Sequence, residues 1–358
     1  MDRHLQALEI FKNGTVIPAN PLALDENRRF DESGQRLLTN YYLHAGSGGL
    51  AVAVHTTQFE IRLPQYQLFE MVLKTAVEEI EKFEEANKKT IVRVAGVCGE
   101  IRQAAAEAAA ARDLGYDAVL LSPGGLNHLT EAEMIERTKT VSSIIPVIGF
   151  YLQNAVGGRV FSYRYWQELC EIQGVAGIKC ASFNRYTTLD VVRAVTTSSR
   201  AGEIALYTGN DDNIVIDLLT KYSFTEGGKT YEKEFAGGLL GHWSVWTEKA
   251  VELFRRIKEE RRQASISNEL LTLAAQVTDT NSVLFDTAHD FKGCIAGLHE
   301  VLRRQGLMKG IWCLNPNETL SEGQAQEIDR IYRMYPHLND DRFVEENLDT
   351  WKKIAGGK

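Results

Sequence analysis

The stretch "VAGIKCAS" (175–182) places a lysine inside a run of small and apolar residues. Such a run suits a parallel β-strand covered on both faces, where an ammonium group would lose hydration that is hard to replace. Two readings of Lys179 follow. It sits at a strand end and snorkels to solvent or pairs with a carboxylate, or it is a desolvated amine with a lowered pKa, fit to act as a nucleophile. The rest of the chain decides what surrounds this strand.

Seven further apolar runs share its character: "GTVIPAN" (14–20), "GLAVAV" (49–54), "TIVRVAGV" (90–97), "AVLLSP" (118–123), "PVIGFYL" (146–152), "EIALYTGN" (203–210) and "GGLLGHW" (237–243). Amphipathic stretches lie between them. One is alanine-rich and stops at Gly115, and another opens with Thr130 and carries Glu133 three residues on, a capping-box pattern. Eight strands, each followed by a helix, describe a (β/α)8 barrel, the TIM-barrel form of an α/β protein. The glycine cluster "HAGSGG" (44–49) precedes a strand rather than following one, so it reads as a tight turn and not as a dinucleotide fingerprint. From Trp246 onward the chain reads as helix throughout. The expected division is therefore a barrel over 1–245 and a C-terminal helical region over 246–358.

At 358 residues, 44% hydrophobic and 25% charged, the chain can bury a large core. A net charge of −8 provides no basic footprint for nucleic acid. The beginning, "MDRHLQALEIFKNGTVIP", has no apolar core followed by a cleavage site, and no run approaches the length of a membrane span. The five cysteines form no CxxC pair. Reduced thiols in a cytoplasm, without a zinc framework, are expected. No compact His/Asp/Glu set points to another metal.

In a barrel of this kind the active site forms at the C-terminal strand ends, and Lys179 falls near that end of the sixth strand. The second strand ends in "HTTQF", bringing Thr56 and Thr57 to the mouth, where hydroxyls and backbone N–H groups can cradle a carboxylate. The fifth ends in "GFYLQ", where Tyr151 is a candidate proton donor. Adjacent strand residues face opposite ways, so Phe150 and Tyr151 cannot both enter a regularly pleated barrel; a bulge at Gly149 would favour Tyr151.

Together these motifs resemble the dihydrodipicolinate synthase and N-acetylneuraminate lyase family of class I aldolases, over roughly residues 10 to 305. "GIKCAS" is similar to the family's G-x-K motif, "HTTQF" to its GTTGE, "PVIGFYLQ" to its tyrosine strand, "YTGNDD" to its S-G-x-D, and "ANP" to its T-P segment. The resemblance implies that Lys179 condenses with a 2-oxo acid such as pyruvate or a sugar-derived keto acid, that Thr56 and Thr57 hold the carboxylate, and that Tyr151 relays protons. The iminium then serves as the electron sink for making or breaking a carbon–carbon bond, or for dehydration. No cofactor beyond this covalent Schiff base is implied, and a homotetramer is.

The chain also departs from the family pattern. His55 replaces the first glycine of GTTGE, in a catalytic, substrate-binding or packing role, and Gln58-Phe59 replaces its Gly-Glu. The fourth-strand loop, "SPGGLNH", has Gly124 and Gly125 where the synthase has an aromatic pair, so the synthase's interface relay is absent in that form. Arg159 offers a partner to a second acidic group, or else pairs at the surface. Asn210, Asp211 and Asp212 could bind hydroxyls or cap the next helix, and capping ranks first. The alternative to a lyase is a barrel that kept its small-acid pocket and lost the aldol chemistry.

Overall fold

A computed structural model describes residues 2–356. Eight parallel strands form a nearly closed barrel: β1 (Val16–Pro18), β2 (Gly49–Val52), β3 (Val92–Val97), β4 (Ala118–Leu121), β5 (Val147–Leu152), β6 (Val175–Ala181), β7 (Ala205–Thr208) and β9 (Lys229–Leu240). β8 (Lys221–Glu226) is a ninth strand, paired antiparallel to the first half of β9. The path β1-β9-β7-β6-β5-β4-β3-β2 is closed by a single parallel bridge, Ala19 to Ala51. Each expected apolar run carries a barrel strand, as its alternation with amphipathic segments requires.

Local signals act where the sequence places them. Thr130 and Glu133 form a reciprocal capping box on the helix Glu131–Ser142. The alanine-rich helix Ile101–Asp113 ends before Gly115, which turns the chain at φ +81°. The hairpin of β8 and β9 is an element the sequence reading missed. Its signal is Gly227-Gly228, both at positive φ, between two alternating segments.

The helix Arg3–Asn13 closes the bottom of the barrel. Phe11 stacks on Tyr207 with centroids 4.4 Å apart, and the Tyr207 hydroxyl donates to Phe11 O at 2.7 Å. Above this plug the interior is filled by Ile17, Val94, Leu120, Ile148 and Leu239, so the barrel is a packed core that opens only at the other end.

The region after Trp246 is not helical throughout, contrary to expectation. Helices Thr247–Glu260, Asn268–Leu284, Cys294–Arg304, Gln324–Met334 and Asp341–Ala355 are interrupted by an irregular stretch across 305–323. Gly306, Gly310, Pro316 and Gly323 break the helical pattern there. This stretch is tied to the strand-end loops. Leu314 N–H donates to Gln58 Oε1 at 2.6 Å, the Tyr66 hydroxyl to Leu314 O at 3.2 Å, and Arg28 to Cys313 O at 2.5 Å. The last helix returns to the first barrel helix, Glu32–His44, where Trp351 packs near Tyr41. No helix among the described residues is long and apolar enough to cross a membrane.

Candidate functional site

The pairing of β5 with β6 decides which side chains enter the mouth. Its register shifts between Val147 and Ile148, which pair with Val175 and Gly177, leaving Ala176 as the extra residue. Beyond the shift Ile148, Phe150 and Leu152 pair with Gly177, Lys179 and Ala181, and these face inward. Gly149 and Tyr151 pair with Ile178 and Cys180 and face the helical layer. The bulge therefore lies on β6, below the site, and not at Gly149.

Lys179 rises into the mouth with only 9% of its surface exposed. Its Nζ lies 4.5 Å from the centroid of the Phe150 ring and makes no hydrogen bond or ion pair among the described residues. Gly209, at the tip of β7, makes room for it: a Cβ there would stand 2.4 Å from Lys179 Cε. Burial pushes the amine below its ordinary pKa, and the Asp211 carboxylate opposes part of that shift. Asp211 is itself buried, and burial pushes its carboxyl upward, while the charge on Lys179 and the His242 N–H, donating at 3.2 Å, draw it back. Each group thus raises the fraction of its partner that is charged, yet both remain closer to neutrality than they would be in water.

His55 lines the same pocket and is half-buried. Burial, reinforced by the charge on Lys179, pushes its pKa down to about 4, so the imidazole is neutral near pH 7. Thr56 lines the pocket too, with its hydroxyl 3.3 Å from Asn20 O. Its backbone N–H has no partner among the described residues, whereas those of Thr57 and Gln58 are bonded to Val54 O and His55 O. An oxyanion placed at Thr56 would satisfy that donor. The remaining walls are chiefly apolar, from Phe150, Leu152, Phe183, Phe285 and Phe291, around a cavity of about 80 Å³.

Lys179, Thr56 and His55 are therefore gathered at one place, and the other expected site residues are not. Tyr151 packs against Trp166, with centroids 5.1 Å apart, and against Phe161. The regular pleat above the bulge turns it out of the barrel. Thr57 is wholly buried, and its hydroxyl donates to Asn20 O at 2.6 Å, bracing β2 against β1 rather than facing the cavity. Arg159 donates to Leu129 O at 2.5 Å and lies over the Phe161 ring, which satisfies the guanidinium on the barrel's flank. Asn210 accepts from Phe183 N–H at 3.1 Å and donates to Asp217 at 2.9 Å, holding the β6 and β7 loops together.

Asp211 is the residue whose role the sequence reading placed wrongly. It does not cap a helix: the following helix, Ile214–Leu219, has Asn213 at its N-cap and no side-chain cap bond. The order Thr208-Gly209-Asn210-Asp211 already matched S-G-x-D, and that match carried the signal. Cys294 and the phenylalanines of the C-terminal region had none, since their approach to the mouth depends on long-range packing. Among the described residues no three of His, Cys, Asp and Glu are gathered so as to hold a metal ion.

The sequence matches the dihydrodipicolinate synthetase family over residues 12–225. No curated protein matches it. Among solved structures it is similar to dihydrodipicolinate synthase from Oceanobacillus iheyensis (TM-score 0.73, 18% identity, covering 92% of this chain and 99% of that one). It is also similar to N-acetylneuraminate lyase from Fusobacterium nucleatum complexed with pyruvate (0.69, 16%, 91% and 99%). A monomeric dihydrodipicolinate synthase variant is similar as well (0.71, 14%, 91% and 98%).

Proposed function

The chain belongs to the dihydrodipicolinate synthetase family, and from that premise we propose that it is a class I lyase or synthase that works on a 2-oxo acid such as pyruvate through an iminium on Lys179. The observation that carries this reading is the buried, unpaired Lys179 amine at the barrel mouth, with one carboxylate, Asp211, set to share its charge. A neutral amine is the form that attacks a carbonyl, and desolvation supplies it.

In the proposed cycle the Thr56 N–H and hydroxyl receive the substrate carboxylate, and Lys179 Nζ adds to the keto carbon. Loss of water leaves a protonated iminium. A proton then leaves the neighbouring carbon, and the electron pair moves into the iminium to form an enamine. Asp211 takes the place of the tyrosine as the group that accepts and returns this proton, because its pKa is pushed toward neutrality. Neutral His55 serves as a second hydrogen-bonding group beside it. The barrel over 1–245 would carry the chemistry and the region 246–358 would roof it. A cytoplasmic setting fits the five unpaired cysteines. Assembly as a homotetramer stays part of the proposal, and the monomeric variant among the similar structures warns that this fold does not dictate it.

One observation favours the second reading, a small-acid-binding barrel without aldol chemistry: Phe150, not a tyrosine, stands beside Lys179. Borohydride reduction in the presence of pyruvate separates the two. A pyruvate-sized mass on the Lys179 peptide, absent from Lys179→Met, is expected. Folded protein that binds pyruvate without ever trapping it would favour the second reading.

A further inference from the structure

Resting on the iminium reading, we infer that the partner aldehyde carries an apolar, aryl-sized group rather than a polyol chain or a second acid. The polar side chains lining the pocket are Lys179, Asp211, Thr56, His55 and Gln153, with the thiol of Cys294, among walls that are otherwise chiefly apolar. The keto acid would take up Lys179, Asp211, Thr56 and His55, and the walls left to the aldehyde are chiefly Phe183, Phe285, Phe291, Leu152 and Val156, with Gln153 and Cys294 as the polar side chains among them. Two of these rings are held at a cost in backbone strain. Phe183 has φ +48° and Phe291 φ +65°, the left-handed region that side chains with a Cβ avoid. Their rings lie parallel within 2°, with centroids 6.0 Å apart, one from the loop after β6 and the other from the C-terminal region. Strain at two converging aromatic rings points to a selected surface and not to incidental packing.

The alternatives have too few partners. A second carboxylate would need a cation, but among the described residues Lys179 is the one cation lining the pocket, and Arg159 is engaged with Leu129 O outside it. Such an acid would also meet Asp211. A polyol would need a donor or acceptor for each of its hydroxyls; Gln153 supplies one amide to the walls left for the aldehyde, and Asn210, the residue placed for that in the sequence, is committed to Phe183 and Asp217. Each hydroxyl buried without a partner weakens binding, on the order of tenfold or more.

The reaction balances without a further reagent. Pyruvate loses its keto oxygen as water when the iminium forms, and a C3 proton passes to Asp211. The enamine carbon bonds to the aldehyde carbon, whose oxygen takes up a proton. Water then cleaves the new iminium, releasing a 4-hydroxy-2-oxo acid and restoring the Lys179 amine.

The test uses the full chain. Pyruvate trapping on Lys179 is measured first, and then product formation from pyruvate with benzaldehyde, D-glyceraldehyde or succinic semialdehyde, followed by mass spectrometry. Benzaldehyde is expected to have a kcat/KM at least about tenfold above the other two. Phe291→Ser is expected to remove most of that advantage through KM. Trapping without this preference, whether a hydrophilic aldehyde equals benzaldehyde or no aldehyde reacts, overturns the inference alone. Failure to trap pyruvate removes the iminium reading and the inference with it.

Discussion

Gly209→Ala separates the chemistry proposed for Lys179 from the stability of the barrel. The added Cβ would lie 2.4 Å from Lys179 Cε, 3.0 Å from Ala181 Cβ and 3.1 Å from Cys180 O. Ordinary carbon contact is about 3.5 Å, so Cε must retreat by roughly 1 Å, while the other two contacts relax by a few tenths. The closest atom belongs to a flexible side chain, which can move without rebuilding the strand. Overpacking of this kind costs about 1–3 kcal/mol, small enough for a domain of this size to remain folded. A displacement of about 1 Å at a reacting centre, however, costs on the order of 100-fold in rate, about 2.7 kcal/mol of barrier. The assay is the rate of borohydride-trapped pyruvate adduct on Lys179, with urea unfolding measured in parallel. Gly202→Ala, at a glycine whose added Cβ meets nothing within 4 Å, should change neither quantity. A Gly209→Ala protein that traps pyruvate at the wild-type rate would refute the placement of the lysine or its role as nucleophile.

Three more outcomes follow from the same physics. Lys179→Met replaces a desolvated amine with an apolar chain of similar length, so unfolding in urea should begin at an equal or higher concentration while trapping disappears; a clear loss of stability would show that the amine has a structural partner. Asp211→Asn keeps an acceptor for the His242 N–H but removes the charge that holds the Lys179 pKa up. The pH profile of trapping should move to lower pH, while aldol turnover falls about 10²- to 10⁴-fold; an unmoved profile would place Asp211 outside the relay. His299 is fully buried, and burial pushes its pKa from 6.5 to about 4. Between those values the unfolded chain binds a proton that the folded one refuses, so the stability due to a neutral His299 is full above pH 6.5 and is lost as pH falls toward 4. Wild type should lose about 3 kcal/mol relative to His299→Gln across that window, and parallel pH curves would contradict it.

What could be read from the sequence alone is what local chemistry and alternation determine. Eight apolar runs separated by amphipathic segments can bury their faces as strands wrapped by helices, and right-handed crossovers that all step the same way round close them into a barrel. Capping signals at Thr130 and Gly115 act within a few residues, so they were legible too. Lys179 and Thr56 could be placed at the mouth because each stands at a strand end, where position along the chain translates directly into position at the mouth. The turn signal of the β8–β9 hairpin was present at Gly227-Gly228 and was passed over, because the eighth strand was sought only in the apolar run that follows.

Tertiary structure decided the rest. One residue inserted into β6 at Ala176 fixes which face of β5 meets Lys179, and so places Phe150 inside and Tyr151 outside. A single-residue shift reverses every side chain on a strand, and composition cannot locate it when both faces are apolar. The guanidinium of Arg159 and the amide of Asn210 found partners on neighbouring loops, where partner choice depends on distances between segments far apart in sequence. The same holds for Phe285, Phe291 and Cys294, which reach the mouth only because the C-terminal helices fold back over it, tied down through Gln58, Tyr66 and Arg28. The place of Lys179 is set by its strand, and the shape and polarity of the pocket above it by contacts that exist only once the whole chain has packed.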